Sequence, residues 1–239
     1  MKSFLAFAFF LCALSGFSQN LSSQELLNKA INYHDPNGNW ERFNATFTVV
    51  MTMPEAAKRT SSISINLPAE YFSVTATKDT VTTTYTLDKG KCQMQYNGKV
   101  LDSIAAKEKN MTCDRATLYK NYYSYLYGLP MKLKDPGTNL SETVETKTFK
   151  GKTYLVLKVT YDEAVGSDIW YFYFNPKTYA MEIYQFFKTD EHGKAKPDSG
   201  EYIVLSEETL LNGIKIPKVR AWYYNKADKY LGTDTLVED

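Results

Sequence analysis

The side chains able to do chemistry are few and scattered. His34 and His192 lie far apart, and neither has a second ligand at metal-binding spacing. Asp35, Asn37, Asn39 and Glu41 alternate in the manner of a calcium loop, but the glycine falls at the fourth place where such a loop needs it at the sixth. The segment reads as a turn, and no metal or other cofactor is expected. The carboxylate pairs Asp162-Glu163 and Glu207-Glu208 fall at expected strand ends. Adjacent strand residues point to opposite faces, so neither pair can divide acid and base work. No serine lies in a nucleophile elbow. The chain therefore reads as a non-enzyme. An unrecognised hydrolase is the third reading, and it needs His34 or His192 beside a serine or carboxylate in a cleft.

Cys92 and Cys113 are the other reactive pair. In an oxidising compartment an isolated pair reads first as a disulfide, here closing a loop worth ~3 kcal/mol in the chain-entropy model. The alternative is a redox-active Cys113 whose thiol is activated by a helix N-terminus, although no CxxC spacing accompanies it. The compartment itself is read from the N-terminus. Lys2, the apolar run Phe4 to Leu14 and the small-residue pattern Gly16-Phe17-Ser18 spell a secretory signal peptide over residues 1–18, cleaved after Ser18. A mature chain of residues 19–239, read as one domain, is then expected to be periplasmic or secreted. It is not expected to be transmembrane, because no later segment approaches the roughly 20 apolar residues a span needs. Cys12 is preceded by Phe10-Leu11 where a lipoprotein signal wants small residues, so no lipid anchor is expected. Removing Lys2 from the 28 Lys and Arg leaves 27, against 27 Asp and Glu. That balance offers no basic field to nucleic acid.

The longest helical signal spans Asp114 to Tyr127, with five tyrosines between Tyr119 and Tyr127. Asp114 is the expected N-cap, and Gly128 with Pro130 the stop. Leu118, Tyr119, Tyr122, Tyr123, Leu126 and Tyr127 recur at three- and four-residue steps and form one apolar stripe. Ser22 with Glu25 opens an earlier helix through a capping box, and Asp35-Pro36-Asn37-Gly38 ends it with Trp40 packed beneath. A short polar helix is expected over Asp102 to Lys109. Everything else alternates with period two, and turn signals such as Asn97-Gly98 separate the runs. The sum is about ten or eleven antiparallel strands in a meander.

Trp170, Phe172 and Phe174 share one strand face and Tyr171 and Tyr173 the other, while Met181, Ile183 and Phe187 oppose Glu182 and Tyr184. The Trp/Phe/Met face is expected to point inward with Leu155, Leu157 and Val159, since tyrosine tolerates a wet boundary better. Tyr119, Tyr122, Tyr123, Trp170, Phe172, Phe174, Met181, Ile183 and Phe187 would then line a space for a hydrophobic small molecule or acyl chain. The competing reading is a filled core, with a structural or protein-interaction module working through an outer patch of Tyr171, Tyr173 and Tyr184.

Several segments carry a resemblance. Tyr173-Phe174-Asn175-Pro176-Lys177-Thr178 and Leu211-Asn212-Gly213-Ile214-Lys215-Ile216-Pro217 look like recurrent hairpins of the superfamily of periplasmic lipoprotein carriers, LolA and LolB. Tyr33-His34-Asp35-Pro36 with Trp40, and Leu126-Tyr127-Gly128-Leu129-Pro130, resemble an uncharacterised family of secreted bacterial proteins with the same fold. The resemblance implies an α+β, mainly antiparallel protein: an unclosed half-barrel wrapped over a few helices that act as a lid, with a cavity for lipid chains. It also implies lipid or lipoprotein handling or envelope maintenance, with a lipoprotein or envelope protein as partner. The carriers' lid-locking arginine has no matching position here. A disulfide tying down the lid would favour a binder over a shuttle.

Overall fold

A computed structural model of the chain describes residues 21–237. The expected signal peptide, its cleavage site and Cys12 lie outside the described residues. The first half comprises α1 (Ser23–His34), β1 (Asn44–Met53), β2 (Ala56–Asn66), β3 (Tyr71–Lys78), β4 (Val81–Asp88), β5 (Lys91–Tyr96) and β6 (Lys99–Val100). Then follow α2 (Ser103–Glu108), α3 (Cys113–Gly128), β7 (Thr138–Leu140), β8 (Glu145–Phe149), β9 (Lys152–Tyr161) and β10 (Ile169–Phe174). The chain closes with β11 (Met181–Phe187), β12 (Glu201–Leu211), β13 (Ile214–Tyr224) and β14 (Tyr230–Val237).

All fourteen strands join one antiparallel sheet in the order β6-β5-β4-β3-β2-β1-β14-β13-β12-β11-β10-β9-β7, with β8 against another stretch of β9. The ends do not meet, so the protein is an unclosed half-barrel of mainly antiparallel β with a few helices. The strands exceed the expected ten or eleven because β6 and β7 are too short to show a period and β14 lies beyond the last expected strand, Ile214 to Tyr224; of the expected strand Thr143 to Phe149, the strand runs only from Glu145. The meander also breaks once. β14 inserts between β1 and β13, with Met51 opposite Asp234 and Arg220 opposite Asp234.

Local chemistry explains the ends of the elements. Glu25 N–H donates to Ser22 Oγ at 3.2 Å and Ser22 N–H to Glu25 Oε2 at 2.9 Å, the reciprocal box that starts α1. Asp35 stops it and turns the chain, accepting from the N–H groups of Asn39 and Trp40 at 2.8 Å each. Asn97 and Gly98 both have positive φ, which a two-residue hairpin turn with the strands' own twist requires. Asp114 is not the cap of α3. Thr112 Oγ1 accepts from Arg115 N–H at 3.2 Å, and Asp114 instead supplies negative charge in the first turn, where the helix dipole favours it. At the other end α3 passes so near Trp40 that a Cβ on Gly128 would lie 2.3 Å from the indole.

One large core fills the concave side of the sheet. Phe172, Phe174, Leu157 and Val159 are buried in it with Phe43, Phe47, Ile63, Phe72 and the helices. Trp170 and Leu155 pack against it, as their alternation predicts. Ile183 and Phe187 do not. The pairing of β10 with β11 shifts register between Tyr173, opposite Ile183, and Phe174, opposite Met181. This bulge sets Met181 inward but turns Ile183 and Phe187 to the convex face, and it carries Tyr184 and Phe186 inward. Glu182, the extra residue, is held by Asn175 Nδ2 at 2.9 Å and by an ion pair with Lys152. On the convex face Ile183 joins a second cluster with Tyr154, Val156, Tyr173 and Tyr202. The expected outer patch therefore fails as a unit. Tyr184 is fully buried on the inner side and Tyr173 is 4% exposed, leaving Tyr171.

Candidate functional site

α3 straddles the concave face. Tyr119, Tyr123 and Tyr127 meet Tyr85, Phe72 and Phe47 on the β1-to-β4 side. Tyr122 and Tyr125 meet Trp222 and Trp170 on the other. The Tyr125 and Tyr161 hydroxyls are hydrogen-bonded. The expected stripe is thus rotated: Leu118 is 64% exposed and Tyr122 39%, while Ala116 is buried beside Tyr123, Leu126 and Tyr127. Because two flanks touch the sheet, a tyrosine belongs on each, and a single-stripe reading cannot represent that. Cys113 at the start of α3 is disulfide-bonded to Cys92 on β5. Its sulfur is engaged, so the staple and not the free thiol is what the structure contains.

Beside the N-terminal half of α3 the sheet is not fully covered. A groove of about 490 Å³ opens there, with Val74, Ala76, Val81, Tyr85, Tyr119 and Tyr123 as its apolar wall and Arg59, Ser61, Lys78 and Asp79 among its polar ones. The volume lies within the ~300–1,000 Å³ of small-molecule clefts. Of the residues expected to line a space, the groove holds Tyr119 and Tyr123. Trp170, Phe172, Phe174 and Met181 sit in the packed core, with Trp170 stacked on Phe172 and Phe186. Phe187 borders a shallow convex-face depression of about 310 Å³ with Tyr171, Tyr173 and Lys147, and Ile183 lies beneath that face.

A polar row crosses the concave face beneath the helix. Arg59, Met51, Asp234 and Arg220 are register partners on β2, β1, β14 and β13. Arg59 Nη2 contacts Met51 Sδ at 3.3 Å, and Trp222 Nε1 donates to Asp234 Oδ2 at 3.1 Å. The Arg220 guanidinium lies 4.0 Å from the centre of the Tyr127 ring, a cation–π stack on α3 itself. Burial raises the Asp234 carboxyl above its usual range against the pull of both arginines. It also pushes the Tyr127 phenol up to about 12, although Arg220 opposes this. Sequence reading missed both arginines. Their signal was parity: Arg59 continues the inward set Ile63 and Ile65, and Arg220 the set Ile214 and Ile216.

His34 is 1% exposed and holds structure together. Nδ1 donates to Lys215 O at 2.7 Å, and Nε2 accepts from Met181 N–H at 2.9 Å. Both nitrogens are thus committed to backbone, and His192 stands on an exposed turn beside Glu191. Among the described residues no three His, Cys, Asp or Glu side chains are grouped to hold a metal, and no helix is long and apolar enough to cross a membrane.

An open antiparallel half-barrel with a disulfide-stapled helix across its concave face and an apolar groove beside that helix defines the architecture. The chain belongs to the family described as a family of unknown function, DUF6503, whose model matches residues 5–239. No curated protein matches it. Similar solved structures include a LolA superfamily protein from Nitrosomonas europaea at 11% identity, covering 91% of this chain and 92% of that one with a TM-score of 0.48. A DUF1329 family protein from Desulfovibrio piger aligns at 7% identity over 90% and 91% of the two chains, TM-score 0.47. MucB in complex with MucA(peri) aligns at 9% identity over 90% and 92%, TM-score 0.24.

Proposed function

We propose that the protein binds a hydrophobic ligand, an acyl chain or a molecule of similar shape, in the groove between α3 and β2 to β4, and that it does so outside the cytoplasm. The groove carries this reading: it is the place where Tyr119 and Tyr123 meet Val74, Ala76 and Tyr85 without closing on them. Burial of apolar surface, at about 25 cal/mol per Å², would supply the affinity. The Cys92–Cys113 disulfide and the expected signal peptide support the compartment. The apolar wall of the groove is built of side chains suited to exclude water, and the binding needs no catalytic group.

Ala76 lines the groove from β3 and is only partly buried. Ala76→Trp is expected to fill the space and weaken binding of a fluorescent acyl probe by about tenfold or more, equivalent to ~1.4 kcal/mol, with little change in thermal midpoint. Native mass spectrometry of the purified protein should show bound lipid in the wild type and none in the variant. A folded Ala76→Trp that binds the probe as before would defeat this placement.

A further inference from the structure

The groove has one wall on the sheet and one on α3, and the helical wall is Tyr119 and Tyr123. α3 crosses the strands like a bar. Cys113, its first residue, is bonded to β5, Tyr119 packs on Tyr85 of β4, Tyr123 on Phe72 of β3 and Tyr127 on Phe47 of β1. The two ends of the bar are fixed differently. At the C-terminal end Tyr123, Leu126, Tyr127 and Gly128 are buried, and the Arg220 guanidinium lies on the Tyr127 ring. The N-terminal end is thinly held. Between Cys113 and Tyr122 only Ala116 is buried, Tyr119 is partly buried with Arg115 beside the Tyr85 hydroxyl, and Leu118 is 64% exposed. Met111, buried just ahead of the helix, acts as a pivot, because the extended backbone of Thr112 separates it from the first turn. The clamp at this end is the Cys92–Cys113 bond, which ties the helix to the strand next to β4. Cys113 is an exposed residue, and Tyr119 lies about 9 Å along the helix from it. A rigid helix passes any movement freed at the bridge directly to the groove wall.

We infer that the Cys92–Cys113 disulfide is a redox gate on the groove. Oxidised, it holds the Tyr119 and Tyr123 wall at the spacing that binds. Reduced, the first half of α3 swings away from the sheet about Met111, the wall is lost and the ligand is released. The gate presupposes the hydrophobic-ligand reading above and adds control to it. The co-reactant is a dithiol. One of its thiolates attacks a sulfur of the bridge, and the other protein sulfur leaves as a thiolate and takes up a proton. The second thiol of the reductant then displaces the first protein sulfur, which leaves as a thiol, and closes a disulfide within the reductant. Two electrons and two protons pass to the protein. Affinity scales with the fraction of time the binding conformation is formed, so a helix end docked about a tenth of the time binds about tenfold more weakly.

The test titrates a dansyl-labelled fatty acid into the oxidised protein, the protein reduced with dithiothreitol, the same sample after reoxidation, and the double variant Cys92→Ser/Cys113→Ser. Amide hydrogen exchange is followed by mass spectrometry in each state. Reduction and the double variant are each expected to weaken binding at least about tenfold, and reoxidation to restore it. Residues 113–121 are expected to lose protection on reduction while residues 123–128 and the strands keep theirs, the signature of local opening. Equal affinity in the oxidised and reduced protein overturns the gate and leaves the hydrophobic-ligand reading standing. Loss of protection throughout the sheet on reduction, or a double variant that does not fold, also overturns it, since the bridge then serves stability alone. An oxidised protein that does not bind the probe takes down the hydrophobic-ligand reading and the gate with it.

Discussion

His34 shows how much one buried side chain can hold. It bridges the end of α1 to β13 and β11 through partners 181 and 147 positions away, and those bonds fix the neutral tautomer with the proton on Nδ1. Burial holds its pKa below the usual histidine value. The unfolded chain takes up a proton near pH 6.5, while the folded protein resists it. The stabilisation is therefore complete above about pH 6.5 and is lost as the pH falls below that value. His34→Ala should cost roughly 1–3 kcal/mol at pH 7 for each backbone group left unpaired. The gap between wild type and variant in urea unfolding should narrow from pH 7 to pH 5. A gap that stays constant would show that the imidazole does not titrate across the transition. The sequence showed the helix ending at Asp35-Pro36-Asn37-Gly38, beside His34, since cap and turn are local, but the partners of His34 are not. The arginines of the polar row escaped for a related reason: at an inward parity position a lone basic residue looks like any break in alternation until the neighbouring strands are placed.

At the scale of elements, α3 is positioned by three devices: the Thr112 cap, the approach to Trp40 at Gly128, and the disulfide to β5. Converting both Cys92 and Cys113 to serine should lower unfolding free energy by about 3 kcal/mol, measured by guanidinium titration, and reductant should do the same to the wild type. If neither changes the midpoint, the staple does not constrain the unfolded chain. The helix, its composition and its disulfide were legible because each is written within a few residues or in a lone cysteine pair. Its rotation was not, since two flanks of tyrosines serve two walls. The inward faces of β9 and β10 were equally legible from Leu157, Val159, Phe172 and Phe174. β11 was not, because one bulged residue, Glu182, reverses every side chain after it and leaves no mark in a period-two count.

For the whole molecule the decisive pairing is that of β14 with β1 and β13 in the middle of the sheet. Hairpins such as Tyr96 to Lys99 announce themselves through their turns, whereas nothing local announces that Thr52 meets Thr233, 181 positions later. Removing residues 230–237 should leave β1 and β13 without a common neighbour and abolish cooperative thermal unfolding, followed by circular dichroism. A sharp transition in the truncated chain would mean that the two halves fold independently. The same pairing governs the order in which the protein can be assembled. At about 5–20 residues per second of synthesis, the 181 residues between Thr52 and Thr233 correspond to a wait of roughly 10–40 s. Throughout that interval one side of β1 offers unpaired backbone to any other extended chain, the condition that seeds aggregation. Cellular yield should depend on what shields that edge until the last strand arrives, since closure is a non-local and intrinsically slow step.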